Sequence, residues 1–238
     1  MVVTSLDSEG CAKAQELAKE LGLIFSKDSP EDYYLFFEKE RLLVKDPRQG
    51  NHFSISIDIK KELDLLKNQK ISMKKDLLAR AVGFKGQVGY KVFDGTLGMG
   101  KDALHLLHFG CHIVASEIDP VAFALVRNAK ELASMALPFE ILWGDTCEAI
   151  KSYSEPVDCL YLDPMFEDIK KKSAPKKAMA MLRSRNISSK SAAEVIDSAL
   201  HKGIKRVVVK RPIKGKQLYG EPTMVIAGKL VRYDVYIR

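Results

Sequence analysis

Short apolar or alternating runs, separated by longer stretches in which apolar residues recur every three or four positions, divide the chain into two regions. In residues 1–70, "CAKAQELAKELG" has helical spacing and stops at Gly22, while "YYLFFEKERLLVKD" and "HFSISIDI" read as strands. This region is expected to form a small N-terminal α/β domain. "SMKKDLLARAVGF" reads as a linking helix that opens a second domain, residues 71–238. There, strand patterns ("YKVFD", "HIVASE", "FEILWG", "VDCLYL", "KRVVVKR") alternate with helical ones ("MGKDALHLLHFG", "DPVAFALVRNAKELASMA", "SAAEVIDSALHKG"). That alternation predicts a doubly wound, mostly parallel sheet. "TMVIAG" and "LVRYDVYIR", turning at Gly228-Lys229, predict an antiparallel hairpin at its C-terminal edge.

In such sheets ligands sit beyond the carboxyl ends of the strands, so the residues after each strand carry the chemistry. "FDGTLGMGKDA" follows the first strand of the second domain, and Gly95, Gly98 and Gly100 allow a tight turn and close ligand approach. The spacing Gly95 to Lys101 resembles a phosphate-binding loop until its last position. There Asp102 offers no hydroxyl to a magnesium ion and would repel phosphate. The three glycines also lack the spacing of a dinucleotide loop. A nucleoside ligand bearing an amino acid and no pyrophosphate, S-adenosylmethionine, suits the loop better, with Asp94 facing its ammonium group. Glu117, ending the next strand, can accept hydrogen bonds from both ribose hydroxyls. Asp119 before Pro120 serves as the following helix cap. After the third strand, Gly144, Asp145 and Thr146 stand where an adenine edge is expected, and Asp145 equally fits a simple helix cap.

"VDCLYL" leads into Asp163-Pro164-Met165-Phe166 on the same sheet edge. The lone pair of an exocyclic base amine is delocalised into its ring. A carboxylate and a backbone carbonyl that accept the amine hydrogens localise that pair, while an aromatic ring stacks an extruded base. Asp163 is the expected polar anchor, Pro164 the rigid turn that directs its carbonyl into the site, and Phe166 the stacking ring. The tetrapeptide resembles the Asp/Asn-Pro-Pro-Tyr/Phe motif of amino-methyltransferases, with Met165 at the second proline.

Charge adds a partner. The net charge of +7 is unevenly spread: residues 1–166 carry 20 Lys/Arg against 25 Asp/Glu, and residues 167–238 carry 18 against 6. A basic segment next to a base pocket suits phosphates, with Lys170, Lys171, Lys172, Lys176 and Lys177 as expected contacts and Lys210 and Arg211 adding charge at the fifth strand end. Composition is ordinary for a globular protein, with 46% hydrophobic and 29% charged residues. No run approaches the ~20 apolar residues of a membrane span, and the N-terminus has no leader pattern, so the cytoplasm is expected. Cys11, Cys111, Cys147 and Cys159 have no CxxC spacing and read as reduced packing residues. His105, His108 and His112 are accompanied by no carboxylate pattern, so packing or surface roles are expected and no metal.

"DGTLGMGKDA", "EIDP", "YLDPMF" with its "KKKSAPKKAM" continuation, and "KRVVVKRP" together resemble the ribosomal RNA small subunit methyltransferase J family. The resemblance covers residues 80–238 best. It implies a Rossmann-like class I methyltransferase fold and transfer of methyl from S-adenosylmethionine to guanine N2 in 16S ribosomal RNA, free or in the small subunit. It also implies cofactor roles for Lys101, Asp102, Glu117, Ile118, Asp145, Thr146 and Asp163. Lys101 and Ile118 stand where the family tends to have arginine. The residues alone leave open a DNA or other RNA amino-methyltransferase, a protein-glutamine methyltransferase, and a non-catalytic RNA-binding protein.

Overall fold

The structure, a computed structural model, describes residues 1–5, 8–28, 30–49, 54–164 and 190–238. Its first sheet has the strand order β2-β1-β3-β4-β5, formed by β1 (Val2–Ser5), β2 (Ile24–Phe25), β3 (Tyr34–Glu38), β4 (Arg41–Lys45) and β5 (Ser54–Ile55). Helix α1 (Ser8–Leu21) connects β1 to β2, which pair in parallel. Alternation along the β3–β4 hairpin sends Leu35, Phe37, Leu42 and Val44 into the main core and Tyr34, Phe36 and Leu43 to the opposite face.

Two elements between the sheets differ from the sequence expectation. Among its described residues the run "HFSISIDI" contributes strand at Ser54–Ile55 and then gives way to a helix, because the Asp58 side chain accepts the Lys61 N–H. That cap starts helix α2 (Ile59–Asn68), which buries Ile59 and Leu63 one turn apart. The linking helix is shorter than expected. Met73–Lys75 form a 3-10 turn, and α3 (Leu77–Val82) begins only after Asp76, which accepts the Ala79 N–H at 2.8 Å.

The second sheet comprises β6 (Lys91–Asp94), β7 (His112–Glu117), β8 (Phe139–Trp143), β9 (Cys159–Leu162), β10 (Arg206–Pro212), β11 (Met224–Ala227) and β12 (Val231–Ile237). Its order is β11-β12-β10-β9-β6-β7-β8. The strands are parallel except β12, which runs antiparallel to both neighbours. The doubly wound sheet and terminal hairpin match the expectation.

Connectivity reverses at β6, which lies between β7 and β9 and so opens the switch-point crevice at its carboxyl end. Period-two alternation divides the core. Val92, Ile113, Ala115, Tyr161, Val208 and Tyr233 face α3, α4 (Lys101–Phe109) and α5 (Pro120–Leu132). Phe93, Val114, Leu160, Leu162, Val207 and Val209 face α6 (Thr146–Ser152) and α7 (Ala192–His201).

The first of these cores runs on into the N-terminal sheet, taking in Val3, Leu35 and Leu42. Polar contacts fix the junction: Asn128 of α5 accepts the Leu42 N–H at 2.8 Å and donates to Glu40 O at 2.9 Å. Cys111, Cys147 and Cys159 are buried, and none of the four cysteines is disulfide-bonded. His105 packs edge-on against Phe109 and pairs with Asp76 at 2.8 Å. No helix among the described residues is long and apolar enough to cross a membrane.

Candidate active site

Acids from successive strand ends gather at the switch point. Asp94 closes β6 as a buried residue, only 2% exposed. Its Oδ1 accepts the Thr96 N–H at 2.9 Å. Burial pushes this carboxyl up to about 7; the Thr96 N–H opposes the shift, and the charges of Asp102, Asp163 and Glu117 add to it.

The chain then turns through Gly95, whose amide donates to Tyr161 O at 2.9 Å. A Cβ at Gly95 would lie 2.6 Å from Thr146 Cγ2 and 2.7 Å from Leu162 Cδ2, so the loop is held against the start of α6 and the end of β9, and any side chain there would force a neighbour to shift. Gly98 and Gly100 adopt φ of 53° and 74°, in the left-handed region that favours glycine.

Glu117, at the end of β7, accepts two backbone N–H groups at 2.7 Å, Gly98 on Oε2 and Asp119 on Oε1. Burial raises its carboxyl, against the pull of both amides. The acid thus braces the glycine loop, and four carboxylate lone pairs leave acceptor capacity toward the crevice. Asp119 caps α5 as expected, accepting from Val121 N and Ala122 N, with Ile118 half-buried beside it. At the end of β8, Asp145 caps α6 through Oδ1, taking the Cys147 N–H at 2.9 Å. Thr146 donates to Gly95 O at 2.7 Å and accepts from Ser116 Oγ at 3.1 Å. Of the two roles open to Asp145, the cap is the one visible in these bonds.

Strand parity brings the remaining groups together. Tyr161 and Asp163 lie two apart along β9, Val208 and Lys210 two apart along β10, and Val209 pairs with Leu162. Lys210 therefore reaches the face that carries Asp163. Its ammonium lies 2.9 Å from Asp163 Oδ2 and 2.7 Å from Asp102 Oδ2 in the first turn of α4. Asp102 also accepts the Tyr161 hydroxyl at 2.5 Å. Burial raises the Tyr161 phenol well above its ordinary range, so it stays a donor. For Lys210, burial alone would lower the pKa, but Asp102 and Asp163 outweigh it and keep the ammonium charged.

Two of the expected phosphate contacts have protein partners here. The Lys210 charge is enclosed by two acids, and Arg211 is only 4% exposed, with its guanidinium donating to Lys216 O. Lys101 is exposed at the start of α4, and Pro164 is half-buried after Asp163. Phe166, Lys170, Lys171, Lys172, Lys176 and Lys177 lie outside the described residues.

Sequence reading missed Thr96 and Tyr161. Thr96 Oγ1 accepts the Asp163 N–H at 2.6 Å and lies 3.4 Å from Asp94 Oδ1, so one hydroxyl bridges the glycine loop and the Asp-Pro turn. Tyr161 carries a signal that could have found it: a tyrosine two positions before a functional aspartate shares its face. As chemistry, a row of acceptors at three strand ends beside a glycine-rich turn suits a ligand presenting an ammonium group, vicinal hydroxyls and an exocyclic amine.

Residues 16–238 match the family model described as "Putative SAM-dependent methyltransferase". The chain is 30% identical, over 99% of its length and 94% of the relative's, to the ribosomal RNA small subunit methyltransferase J of Hahella chejuensis. The like-named protein of Alteromonas mediterranea is 31% identical, over 89% of this chain and 85% of its own. In fold the chain is similar to the SAM-dependent methyltransferase NGO1261 from Neisseria gonorrhoeae, with a TM-score of 0.71 at 23% identity over 100% of this chain and 96% of that one.

The protein is an S-adenosylmethionine-dependent methyltransferase of the Rossmann-like class I fold. It belongs to the ribosomal RNA small subunit methyltransferase J family.

Proposed function

We propose that this enzyme methylates the exocyclic N2 amine of a guanine in 16S ribosomal RNA, as free RNA or within the small subunit. The observation that carries the reading is the position of Asp163-Pro164 at the end of β9, next to the row of acids at the ends of β6, β7 and β8. Names of the relatives support the RNA substrate. A ribosomal substrate agrees with a cytoplasmic enzyme.

The cofactor, when bound, supplies an electrophilic methyl carbon on a sulfonium centre. Asp94 accepts its ammonium, Glu117 its ribose hydroxyls, and Asp145 and Thr146 border its adenine beside Ile118. Gly95, Gly98 and Gly100 admit it closely, and Lys101 and Asp102 begin the helix beneath the loop. Asp163 and the Pro164 carbonyl accept the two hydrogens of the target amine and localise its lone pair. Phe166 stacks the extruded base, and Lys170, Lys171, Lys172, Lys176 and Lys177 hold its flanking phosphates.

The test is direct. Unmethylated small subunits and their protein-free RNA are incubated with enzyme and isotopically labelled cofactor, then digested to nucleosides and analysed by mass spectrometry. Labelled N2-methylguanosine at a single position is expected. Label on adenine, on cytosine or on DNA alone would overturn the proposal.

A further inference from the structure

We infer that Asp163 and Lys210 together form one reading edge for the target base, acceptor–acceptor–donor, complementary to the amine, ring N–H and carbonyl of guanine. The inference rests on the guanine reading proposed above and adds to it a specificity-determining residue.

Geometry supplies the first argument. Lys210 Nζ lies 2.9 Å from Asp163 Oδ2, so a donor stands immediately beside an acceptor oxygen of the catalytic acid. The side chains are 21% and 35% exposed, which leaves the pair accessible from the crevice. Asp102 holds the ammonium from behind at 2.7 Å and is itself held by the Tyr161 hydroxyl. An ammonium has three N–H donors. Two go to Asp102 and Asp163, and the third is bound to no described residue.

Chemistry supplies the second. A cation on Asp163 draws electron density from the carboxylate and weakens it as an acceptor for the target amine. For catalysis alone that placement is a handicap. It becomes useful when the cation also contacts the base. Guanine presents N2–H, N1–H and O6 in a row. A carboxylate oxygen can meet each of the first two, and a donor beside the second oxygen then meets O6, while the Pro164 carbonyl takes the other N2 hydrogen. Adenine and cytosine place a bare ring nitrogen next to their amine. That nitrogen would set lone pair against lone pair at Asp163, and adenine in addition offers Lys210 a C–H where guanine has its carbonyl.

The experiment uses the full chain and an RNA substrate carrying guanine or 2-aminopurine at the methylated position. 2-Aminopurine keeps the amine and lacks both N1–H and O6. The wild type should prefer guanine in kcat/KM by about 100-fold or more. Lys210→Met should lower the guanine rate about 10- to 100-fold and leave the 2-aminopurine rate unchanged or raised, since Asp163 then accepts more strongly. Equal losses on both bases would reduce Lys210 to a support for Asp163 and overturn the inference. So would a wild type that accepts both bases equally, a result that needs no variant. Lys210→Arg, which keeps donors, should recover part of the guanine preference. Wild-type product analysis separates the two proposals: N2-methylguanosine with no discrimination sinks only the reading edge, whereas another methylated nucleoside sinks the guanine assignment as well.

Discussion

Thr96 Oγ1 accepts the backbone N–H of Asp163 at 2.6 Å, joining the loop after β6 to the turn after β9 across 67 residues of sequence. The same hydroxyl lies 3.4 Å from the buried Asp94 carboxyl. Thr96→Val keeps the shape and removes the tether. It should cost about 0.5–1.5 kcal/mol of stability. Turnover should fall more than cofactor affinity, by about 10- to 100-fold, because the Asp-Pro turn loses its fixed distance from the loop. Thermal melts, calorimetry and steady-state kinetics on one preparation check this. An unchanged kcat would show that the tether does not set the turn's position.

Asp163→Ala should abolish methyl transfer on the RNA substrate. Lys210 keeps Asp102 as partner, so a cooperative melt close to the wild type's is expected. Turnover resembling that of the wild type would remove Asp163 from the chemistry.

The parts of this site visible in the sequence are those that depend on a single strand and the residue at its end. Alternation in "YKVFD", "HIVASE" and "VDCLYL" marks β6, β7 and β9, and an acid at each end then reads directly as Asp94, Glu117 and Asp163. The hidden parts depend on which strands are neighbours. Lys210 meets Asp163 because β10 lies beside β9 with Val209 opposite Leu162, and a lysine ending a strand reads as a surface charge until that register is known. Thr96 is hidden for the same reason, its partner being distant in sequence. Helix α2 escapes the sequence pattern because Asp58, its cap, sits inside an alternating stretch that imitates a strand.

The Asp94 carboxyl, raised by burial to about 7 from an ordinary 3.8, gives two pH dependences of opposite sign. In the ligand-free protein the native state binds more protons than the unfolded chain between those values, so stability should fall as pH rises through that window. Affinity for a cationic amino acid group should rise over the same range, by up to about tenfold per pH unit below 7, because binding displaces the proton. Calorimetry in buffers of different ionisation enthalpy measures the released proton. Asp94→Asn should flatten both profiles, and a profile kept intact in that variant would assign the proton to another group.

Gly95→Ala tests the close approach of the loop. The new Cβ would stand 2.6 Å from Thr146 Cγ2 and 2.7 Å from Leu162 Cδ2. Leu162 is buried in β9 and Thr146 is tied to Gly95 O, so neither can withdraw cheaply. A destabilisation of about 1–3 kcal/mol is expected. Cofactor affinity should weaken with it, since the loop must move away from the strand ends that position Asp94 and Asp163. A variant with the melting temperature and cofactor affinity of the wild type would contradict this packing.

Charge separates recognition from chemistry. The sequence from 167 to 190 holds eight Lys/Arg against two acids, while the switch-point crevice is lined by Asp94, Asp102, Glu117 and Asp163 with Lys210 enclosed among them. A polyanion is repelled by that acidic wall, so its phosphates must be held by cations elsewhere. Replacing Lys170, Lys171, Lys172, Lys176 and Lys177 by glutamine should therefore weaken RNA binding while leaving cofactor affinity unchanged. For every phosphate no longer neutralised, the slope of log K against log salt should flatten by about 0.7–0.9. The defect should appear in KM, with kcat approached at saturating RNA. Filter binding over a salt series together with kinetics decides it: an unaltered salt slope would move the phosphate-binding role to other residues, and a fall in kcat alone would give the lysines a part in the transfer step.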